Sequence, residues 1–237
     1  MSRLTSPLRL GDRTAPACLL FGPHVTNLGR ERGLTARHAA YYGRRAQGGA
    51  GIVVTETASV HASDWPYERA PLASSSGPGW AEIAAAVGDA GALAMASLGH
   101  AGGQGSSAYS QAALWAPSPM PMNNDREVPK VMEPADIEAV VAGFADATAR
   151  ARASDMDGVE VNAGQFSLVR QFLSGLTNQR GDPYGEERSR LLREVIGICR
   201  ESLEGGVLGL RLSCDELAPW AGITPEGAAA VSYTHLR

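Results

Sequence analysis

The sequence predicts an α/β fold, namely a (β/α)8 TIM barrel of which about the first five β/α units are present. Short apolar runs rich in β-branched residues alternate with helical stretches, and this alternation is typical of a parallel sheet. Long polar loops follow the strands and never the helices, which is the one-sided loop arrangement of a barrel. A doubly wound sheet has the same element count, but the loop arrangement favours the barrel.

The elements are predicted in order from apolar periodicity and from capping residues. The first helix begins after the N-cap Thr35 and ends at Gly48, and a later helix has Pro134 in its first turn. Predicted strands cover residues 17–21, 51–55, 93–98, 158–161 and 207–212. Predicted helices cover residues 35–47, 80–89, 134–153 and 186–203, and a further helix starts at residues 224–226.

Composition limits the classes of partner. With 237 residues, of which 44% are hydrophobic, the chain can bury one large core. A net charge of −4 gives no reason to expect nucleic acid as a partner. The sequence shows no signal peptide pattern and no apolar run long enough to cross a bilayer. We therefore expect a cytoplasmic protein that acts on a small molecule; composition does not predict its oligomeric state.

Cysteine and histidine spacing does not predict a metal site. Cys18, Cys199 and Cys214 are too scattered for a disulfide framework or a zinc site, and we expect them to be small buried hydrophobes. His100 has no second ligand at a fixed spacing, so a metal hydrolase is poorly supported. The glycines of residues 99–105 lack the spacing of the dinucleotide fingerprint.

The end of the chain does not continue the barrel pattern, because it breaks off one turn into the fifth helix. We expect residues 1–231 to form a partial barrel and residues 232–237 to be a foreign or artefactual tail. The usual phosphate site of such barrels lies in the loops after strands seven and eight, which five units do not reach.

The leading candidate site follows the fourth predicted strand. Residues 158–161 are an apolar strand, and the loop after them carries Asn162, Gln165 and Ser167. A single loop amide most often satisfies nearby backbone. A cluster of polar groups at the carboxyl end of a parallel strand is harder to explain in that way, because barrel enzymes place their chemistry there.

Residues 158–185 resemble the Old Yellow Enzyme family of NADH:flavin oxidoreductases, in the pattern of strand, polar pair, then QFLS, LTN and YG. The resemblance extends over roughly residues 4–230 and is strongest to the 2,4-dienoyl-CoA reductase-type branch, especially to mycofactocin-associated members. It implies FMN as the cofactor and NAD(P)H as the electron donor. An iron–sulfur cluster and FAD are implied only for a longer parent protein.

The resemblance implies several flavin contacts. Pro23, His24 and Thr26 match a flavin-contacting turn after the first strand, and Thr57 matches a position beside the flavin. Glu56 has no catalytic role that the resemblance implies.

Two further strand ends complete the implied cofactor set. His100 matches the family's motif after the third strand, whereas Ser97 stands where the family has a glutamine that contacts the flavin pyrimidine, and Gly103 replaces an arginine. Arg211 matches the arginine beside the flavin N1, where a fixed cation stabilises the anionic reduced ring. We favour cofactor contact for Arg211 over a structural ion pair, because an inward arginine is costly to bury without an anion.

The resemblance also implies the catalytic residues. Asn162 and Gln165 match the pair that orients the substrate, and their N–H groups can hold a carbonyl or nitro oxygen. Ser167 replaces the tyrosine that donates a proton, so that role either stays with this shorter hydroxyl, moves to Tyr184, Tyr67 or water, or is lost.

The function predicted is an FMN-dependent oxidoreductase that transfers a hydride through flavin N5 to or from an activated alkene or a related small substrate. One alternative is an inactive barrel fragment. A lyase or aldolase barrel is less favoured, because it needs a Schiff-base lysine at a strand end and Lys130 lies in a loop before a helix.

Overall fold

The structure is a computed structural model that describes residues 3–121 and 127–235. The last two residues of the predicted 232–237 tail therefore lie outside the described residues.

The described chain contains ten strands and eight α-helices. The strands are β1 Leu8–Leu10, β2 Arg13–Ala15, β3 Leu20–Phe21, β4 Ile52–Val54, β5 Ala58–Ser59, β6 Leu93–Gly99, β7 Trp115–Ala116, β8 Lys130–Val131, β9 Gly158–Ala163 and β10 Val207–Leu212. The helices are α1 Ala36–Gln47, α2 Ala73–Gly88, α3 Ser107–Ser110, α4 Pro134–Ala153, α5 Leu168–Leu173, α6 Pro183–Glu186, α7 Arg190–Leu203 and α8 Pro225–His235.

A parallel sheet with the order β3-β4-β6-β9-β10 organises the molecule, and β5 pairs with the far end of β6. All of these pairings are parallel, and the spatial order follows the chain order. Each return connection carries a helix, as parallel neighbours require. The prediction of an α/β fold with a parallel sheet is confirmed, and the sheet forms a half-barrel.

The larger core lies between the sheet and its helices. Val53, Leu98 and Val161 point from three neighbouring strands into this layer, where they meet Trp80 of α2 and Phe144 of α4. All five side chains are fully buried. Burial of each such side chain stabilises the fold by about 1.5–3 kcal/mol. This layer therefore holds the strand ends in place for the site.

The opposite face of the sheet has a smaller core near the strand starts. Ile52, Val54, Leu93 and Met95 form it together with Ala15 of the β1–β2 hairpin. Because side chains alternate along a strand, the residues further along on this same face point into the concave side of the half-barrel.

Helix α2 begins earlier than predicted. The sequence predicts a helix over residues 80–89, whereas α2 spans Ala73–Gly88 and contains Pro78. Glycine, serine and proline in this segment indicated a loop, but Trp80 and Ile83 are fully buried against the sheet and tertiary packing outweighs the local preference.

The helix predicted over residues 186–203 begins later than predicted, and a separate short helix, α6, precedes it. Asp182 caps the short helix α6, because its carboxylate accepts hydrogen bonds from the main-chain N–H groups of Tyr184 and Gly185. Helix α7 then begins at Arg190. Helix α8 runs without a break through Ser232 to His235.

The cysteine prediction is wrong for two of three residues. Cys199 is buried as expected, and burial raises the pKa of its thiol to about 11. Cys18 and Cys214 are exposed, because both lie in irregular segments at the ends of strands rather than in a packed layer.

Of the helices in residues 3–121 and 127–235, none combines the length and apolar character needed to cross a bilayer.

Candidate active site

A cavity of about 710 Å³ lies at the carboxyl ends of the parallel strands. This is the edge where α/β barrels bind their ligands, and the volume is that of a small-molecule site. The loops after β3, β4, β5, β6, β9 and β10 all contribute to its wall.

Most of the predicted site residues meet in this cavity. The lining includes seven of them, namely Pro23, His24, Thr57, His100, Asn162, Gln165 and Arg211. Three others, Thr26, Ser97 and Ser167, stand behind the lining and bond to other parts of the protein. The sequence did not single out Ser59, Asp64 or Phe166, which also line the cavity.

Arg211 combines cavity exposure with an ion pair. It lies opposite Asn162 in the β9–β10 register, so both side chains share the concave face. Its guanidinium donates to both carboxylate oxygens of Glu160, at 3.0 and 3.2 Å. The side chain is still 38% exposed, so one face of the cation remains available to the cavity. Arg211 therefore forms a structural ion pair, which was the alternative to cofactor contact, and its guanidinium is also exposed to the cavity.

Two glycines make room for Arg211. A Cβ atom added to Gly22 would lie 3.2 Å from the Nη2 atom of Arg211, and one added to Gly164 would lie 3.1 Å from its Cγ atom. Larger residues at both positions would displace the guanidinium, so the glycines keep the cation at the cavity wall.

A pair of hydroxyl groups lies next to the Arg211–Glu160 ion pair. Thr57 and Ser97 lie on adjacent strand ends with their hydroxyl oxygens 2.9 Å apart, and the Ser97 hydroxyl reaches Glu160 at 3.4 Å. Ser97 is fully buried. It therefore acts on the cavity through Thr57 and Glu160 rather than by lining it.

The two amides of the leading loop differ in freedom. The side-chain carbonyl of Asn162 accepts a hydrogen bond from the Gly164 N–H at 3.0 Å, and its NH₂ group reaches the Gln165 carbonyl at 3.4 Å. Gln165 is exposed, and its side chain bonds to no described residue. Asn162 is thus held in one orientation, whereas Gln165 can adapt to a ligand.

Ser167 is the N-cap of helix α5. Its hydroxyl donates to the Asn162 carbonyl at 2.6 Å and accepts from the Arg170 N–H at 3.4 Å, and the residue is fully buried. A serine in this position satisfies the start of a helix. The structure therefore does not bring Ser167 to the cavity, where a proton donor would have to stand.

Phe166 is an exposed aromatic residue of the loop. Its backbone has φ +51°, a region that costs most side chains free energy, and the residue is 63% exposed and lines the cavity. The sequence carries a signal for it only in hindsight, as a large apolar side chain between two polar ones.

Behind the cavity, Glu56 has four hydrogen-bond donors. Thr26 supplies its N–H and hydroxyl groups, while His38 and Tyr67 supply one donor each. The Thr35 N–H donates to Nδ1 of His38, so the imidazole hydrogen lies on Nε2 and points at Glu56. Burial alone would raise the pKa of Glu56, but the hydrogen bonds from His38 and Thr26 outweigh burial and lower it.

Tyr67 connects this buried carboxylate to the cavity. Its ring belongs to the cavity wall, and its hydroxyl donates to Glu56 at 3.0 Å. Burial and the charge of Glu56 raise the pKa of this phenol, so it stays protonated. Tyr184, by contrast, donates to Glu194 of α7 and is not part of the cavity.

A pair of histidines, His100 and His61, lies at another wall, and His100 lines the cavity there. His100 accepts the Gly102 N–H at Nδ1, so its hydrogen lies on Nε2 and points to Ser63 at 3.0 Å. The Ser63 hydroxyl in turn contacts Nδ1 of His61 at 2.8 Å. Burial lowers the pKa of both imidazoles and keeps them neutral.

Asp64 lies beside this pair and is 4% exposed. Its Oδ2 atom accepts a hydrogen bond from the Ser59 hydroxyl at 2.7 Å. Its Oδ1 atom lies 3.9 Å from Nδ1 of His100, which holds a lone pair rather than a hydrogen. Within residues 3–121 and 127–235, no group of three or more His, Cys, Asp or Glu side chains could hold a metal ion.

Comparison with known proteins identifies the family. The sequence profile of the NADH:flavin oxidoreductase / NADH oxidase family matches residues 3–234. The chain belongs to this family. The predicted resemblance to the Old Yellow Enzyme family is thereby confirmed.

Individual relatives agree with the family. An NADH oxidase from Thermoanaerobacter brockii is 30% identical over 94% of this chain and 36% of its own length. The old yellow enzyme homologue from Zymomonas mobilis has a TM-score of 0.87 at 26% identity, over 99% of this chain and 70% of its own length. A 2-naphthoyl-CoA reductase shares the fold, with a TM-score of 0.91 at 24% identity over 98% of this chain and 38% of its own length.

The chain spans 36% of the length of the Thermoanaerobacter relative. An NADPH dehydrogenase from a Geobacillus species is 31% identical over 77% of this chain, and the chain spans 54% of that relative's length.

Proposed function

We propose that this chain forms the ring-binding half of an FMN-dependent oxidoreductase. The observation that carries the proposal is Arg211, a cation at the end of β10 that faces a cavity at the carboxyl edge of a parallel sheet. A fixed cation beside a flavin ring stabilises the negative charge that the ring gains on reduction.

The donors and acceptors of the cavity fit the ring of FMN. Arg211 would hold the pyrimidine edge, Thr57 would contact the ring from β4's loop, and the backbone around Pro23 and His24 would form the opposite wall. When bound, FMN supplies two-electron hydride chemistry. The mixed polar and apolar lining suits such a flat, amphiphilic ring.

The phosphate of FMN needs a second set of contacts. Arg211 is the one arginine or lysine among the described residues that line the cavity, and it is committed to the ring end. Barrels of this kind bind phosphate after strands seven and eight. We therefore propose that the phosphate contacts come from a part of the protein beyond these five parallel units.

Asn162 and Gln165 are proposed to orient the substrate. The Asn162 amide is held in place by Gly164, so it offers a fixed N–H donor, whereas the free Gln165 side chain adjusts to the ligand. Together they would hold an oxygen atom of an activated alkene. Because Ser167 is occupied as a helix cap and the Tyr67 hydroxyl donates to Glu56, the proton would come from water.

Relatives support the finer parts of the proposal. The names NADH oxidase and NADPH dehydrogenase belong to two of them, which supports NADH or NADPH as the electron donor here. We place the protein in the 2,4-dienoyl-CoA reductase-like, mycofactocin-associated branch on its sequence motifs, and in the cytoplasm. An iron–sulfur cluster and FAD are proposed only for a longer parent.

Reconstitution tests this function. The purified chain is incubated with FMN or riboflavin, passed through a desalting column, and its flavin content is measured by absorbance near 450 nm. We expect bound flavin, with riboflavin and FMN binding within about threefold of each other because the phosphate lacks a partner here. Arg211→Met should lower occupancy by about tenfold, the effect of losing one charged partner.

Arg193→Met is the matched control. Arg193 forms an exposed ion pair with Glu187 near helix α7, so this variant loses an arginine and an ion pair outside the cavity. It should retain wild-type flavin content. A wild-type chain that stays colourless with both flavins would refute the proposal.

A further inference from the structure

We infer that the Asp64 end of the cavity binds the protonated amine of a small substrate. This inference names a substrate class for the proposed oxidoreductase and rests on that function only in calling the ligand a substrate. The binding itself follows from the charges and hydrogen bonds around Asp64.

The carboxylate of Asp64 is only partly satisfied. The residue is 96% buried, which makes an uncompensated charge costly. Ser59 donates one hydrogen bond to Oδ2 at 2.7 Å. No described residue donates a hydrogen bond to Oδ1, although a carboxylate oxygen can accept two.

His100 cannot neutralise this charge. Its Nδ1 atom is 3.9 Å from Oδ1 of Asp64, but it already accepts the Gly102 N–H at 2.9 Å. The imidazole hydrogen lies on the far nitrogen and points to Ser63. The imidazole thus presents no hydrogen to the carboxylate.

The charge of Arg32 attracts the nearby Asp64 carboxylate, but the two groups form no direct ion pair. Its guanidinium donates to the main-chain carbonyls of Asp64 and Ala70, and it stacks over Trp65 at 4.7 Å. Arg32 therefore holds the loop in shape. Within the described residues, the side chain of Asp64 has no ion-pair partner that carries a fixed positive charge.

The neighbouring phenol adds a second acceptor rather than a donor. The hydroxyl hydrogen of Tyr67 is committed to Glu56, so its oxygen can offer only lone pairs to the cavity. The negative charge of Glu56 lies directly behind this phenol. Asp64 and Tyr67 thus offer hydrogen-bond acceptors at this end of the cavity, and the Glu56 carboxylate lies behind them.

The acceptors and charges around Asp64 favour a positively charged ligand. A neutral carbonyl or alcohol gains little from a carboxylate without competing donors, whereas an ammonium group supplies both charge and N–H donors. The cation of the cavity, Arg211, forms its ion pair with Glu160 and not with Asp64. A substrate with a protonated primary, secondary or tertiary amine is therefore the class that fits.

Calorimetric titration with benzylamine and benzyl alcohol tests the inference, because the two probes share size and ring and differ in charge at pH 7. We expect wild-type protein to bind benzylamine at least tenfold more tightly than benzyl alcohol. Asp64→Asn should bring the two dissociation constants within about twofold. Equal affinity of the wild-type protein for both probes, or no binding of benzylamine, would overturn the inference.

Two variants serve as controls. Glu68→Gln makes the same charge change at an exposed position four residues away and outside the cavity, and should leave the tenfold preference intact. Ser59→Ala removes the hydrogen bond but keeps the carboxylate, and should also keep the preference. A preference that survives in folded Asp64→Asn, judged by circular dichroism, or that is lost in Glu68→Gln, would count against Asp64.

Flavin content measured on the same samples separates the two proposals. A preference for benzylamine in protein that binds no flavin would support the amine site at Asp64 and contradict the proposed oxidoreductase function. Bound flavin in protein with no preference for benzylamine would support the oxidoreductase function and contradict the amine site.

Discussion

At the scale of the residue, Glu56 has a buried negative charge that depends on neutral donors. Four hydrogen bonds from Thr26, His38 and Tyr67 hold it, and His38 contributes as a neutral ring. Hydrogen bonds to a charged group contribute about 1.5–3 kcal/mol each, and losing them uncovers the desolvation cost of burial. The pocket wall at Tyr67 and the turn at Thr26 therefore depend on the same carboxylate.

The variant Glu56→Gln should be less stable than wild type by about 2 kcal/mol near neutral pH, because a neutral amide replaces the acceptor of charged hydrogen bonds. The folded pKa of Glu56 is lowered, so its ionised form stabilises the fold at every pH above the unfolded value of about 4.3. That contribution is lost as the pH falls through the folded pKa. Urea unfolding between pH 7 and pH 3 should show the difference shrinking toward acid.

Glu138→Gln, at an exposed position of α4, is the control for Glu56→Gln and should follow the wild-type curve. A Glu56→Gln deficit that stays constant over this range would show that the carboxylate charge does not carry the stabilisation.

Ser167→Ala distinguishes a helix cap from a proton donor. Loss of the cap on α5 should destabilise the protein by about 1 kcal/mol, because the Arg170 N–H loses its acceptor. Flavin content and benzylamine affinity should not change, since the hydroxyl does not line the cavity. Thermal unfolding and the two binding measurements made on one preparation check both expectations.

A comparison variant strengthens this test. Ser106 caps the exposed, four-residue helix α3, so Ser106→Ala should cost less than Ser167→Ala. A loss of ligand binding in Ser167→Ala at unchanged stability would instead assign the hydroxyl to the chemistry.

The sequence predicted the site residues at strand ends better than it predicted the hydrogen-bond partners of the site residues. Asn162 was found because polar groups follow an apolar strand, and Arg211 was found through the family resemblance; the strand register brings both to the concave face. Ser167 was assigned by its place in a motif, while the local backbone uses it as a cap. Asp64 was not found, because its environment is built by residues such as Ser59 and His100 that only the folded chain brings together.

At the scale of the element, the closest approach of α2 to the segment before α1 depends on Gly79. A Cβ atom added to Gly79 of α2 would lie 2.4 Å from Cβ of Leu34 and 2.8 Å from its carbonyl oxygen. Leu34 precedes α1, and backbone atoms there cannot yield as a flexible side chain can. The pairing of α1 with α2 therefore requires a residue without a side chain at position 79.

Gly79→Ala should destabilise the protein by about 2 kcal/mol, because overpacking outweighs the helix preference of alanine. Gly88→Ala, at the other end of the same helix, has no atom within 4 Å of the added Cβ and should be neutral or slightly stabilising. Chemical denaturation of the two variants measures the contrast. Equal effects would show that α2 can shift away from Leu34 at no cost.

The same segment explains why helix boundaries were predicted less well than strands. Gly77, Pro78 and Gly79 break a helix by propensity, so α2 was expected to begin at residue 80. Packing of α2 against Leu34 and the sheet favours the helix, and Gly79 is the residue that permits this packing. Strands such as β6 and β9 are buried along their whole length, and their apolar runs identified them directly.

At the scale of the whole molecule, the described sheet is open. Its outer strands, β3 and β10, each have one neighbour, and Leu20 on β3 is 53% exposed. Every residue of β10 is partly exposed, in contrast to the fully buried β9 beside it. Unpaired strand edges with apolar side chains promote association with other chains.

This chain on its own should therefore associate in a concentration-dependent way and bind the dye ANS through its exposed apolar surface. Light scattering at increasing protein concentration measures the first property and dye fluorescence the second. Leu20→Lys should reduce association several-fold, because a charge at a strand edge opposes strand addition. Val128→Lys alters a residue that is 65% exposed in a loop outside the five-stranded parallel sheet and should have little effect on association through β3. A wild-type chain that stays monomeric, excludes the dye and melts cooperatively would show that five β/α units are stable without a partner for these edges.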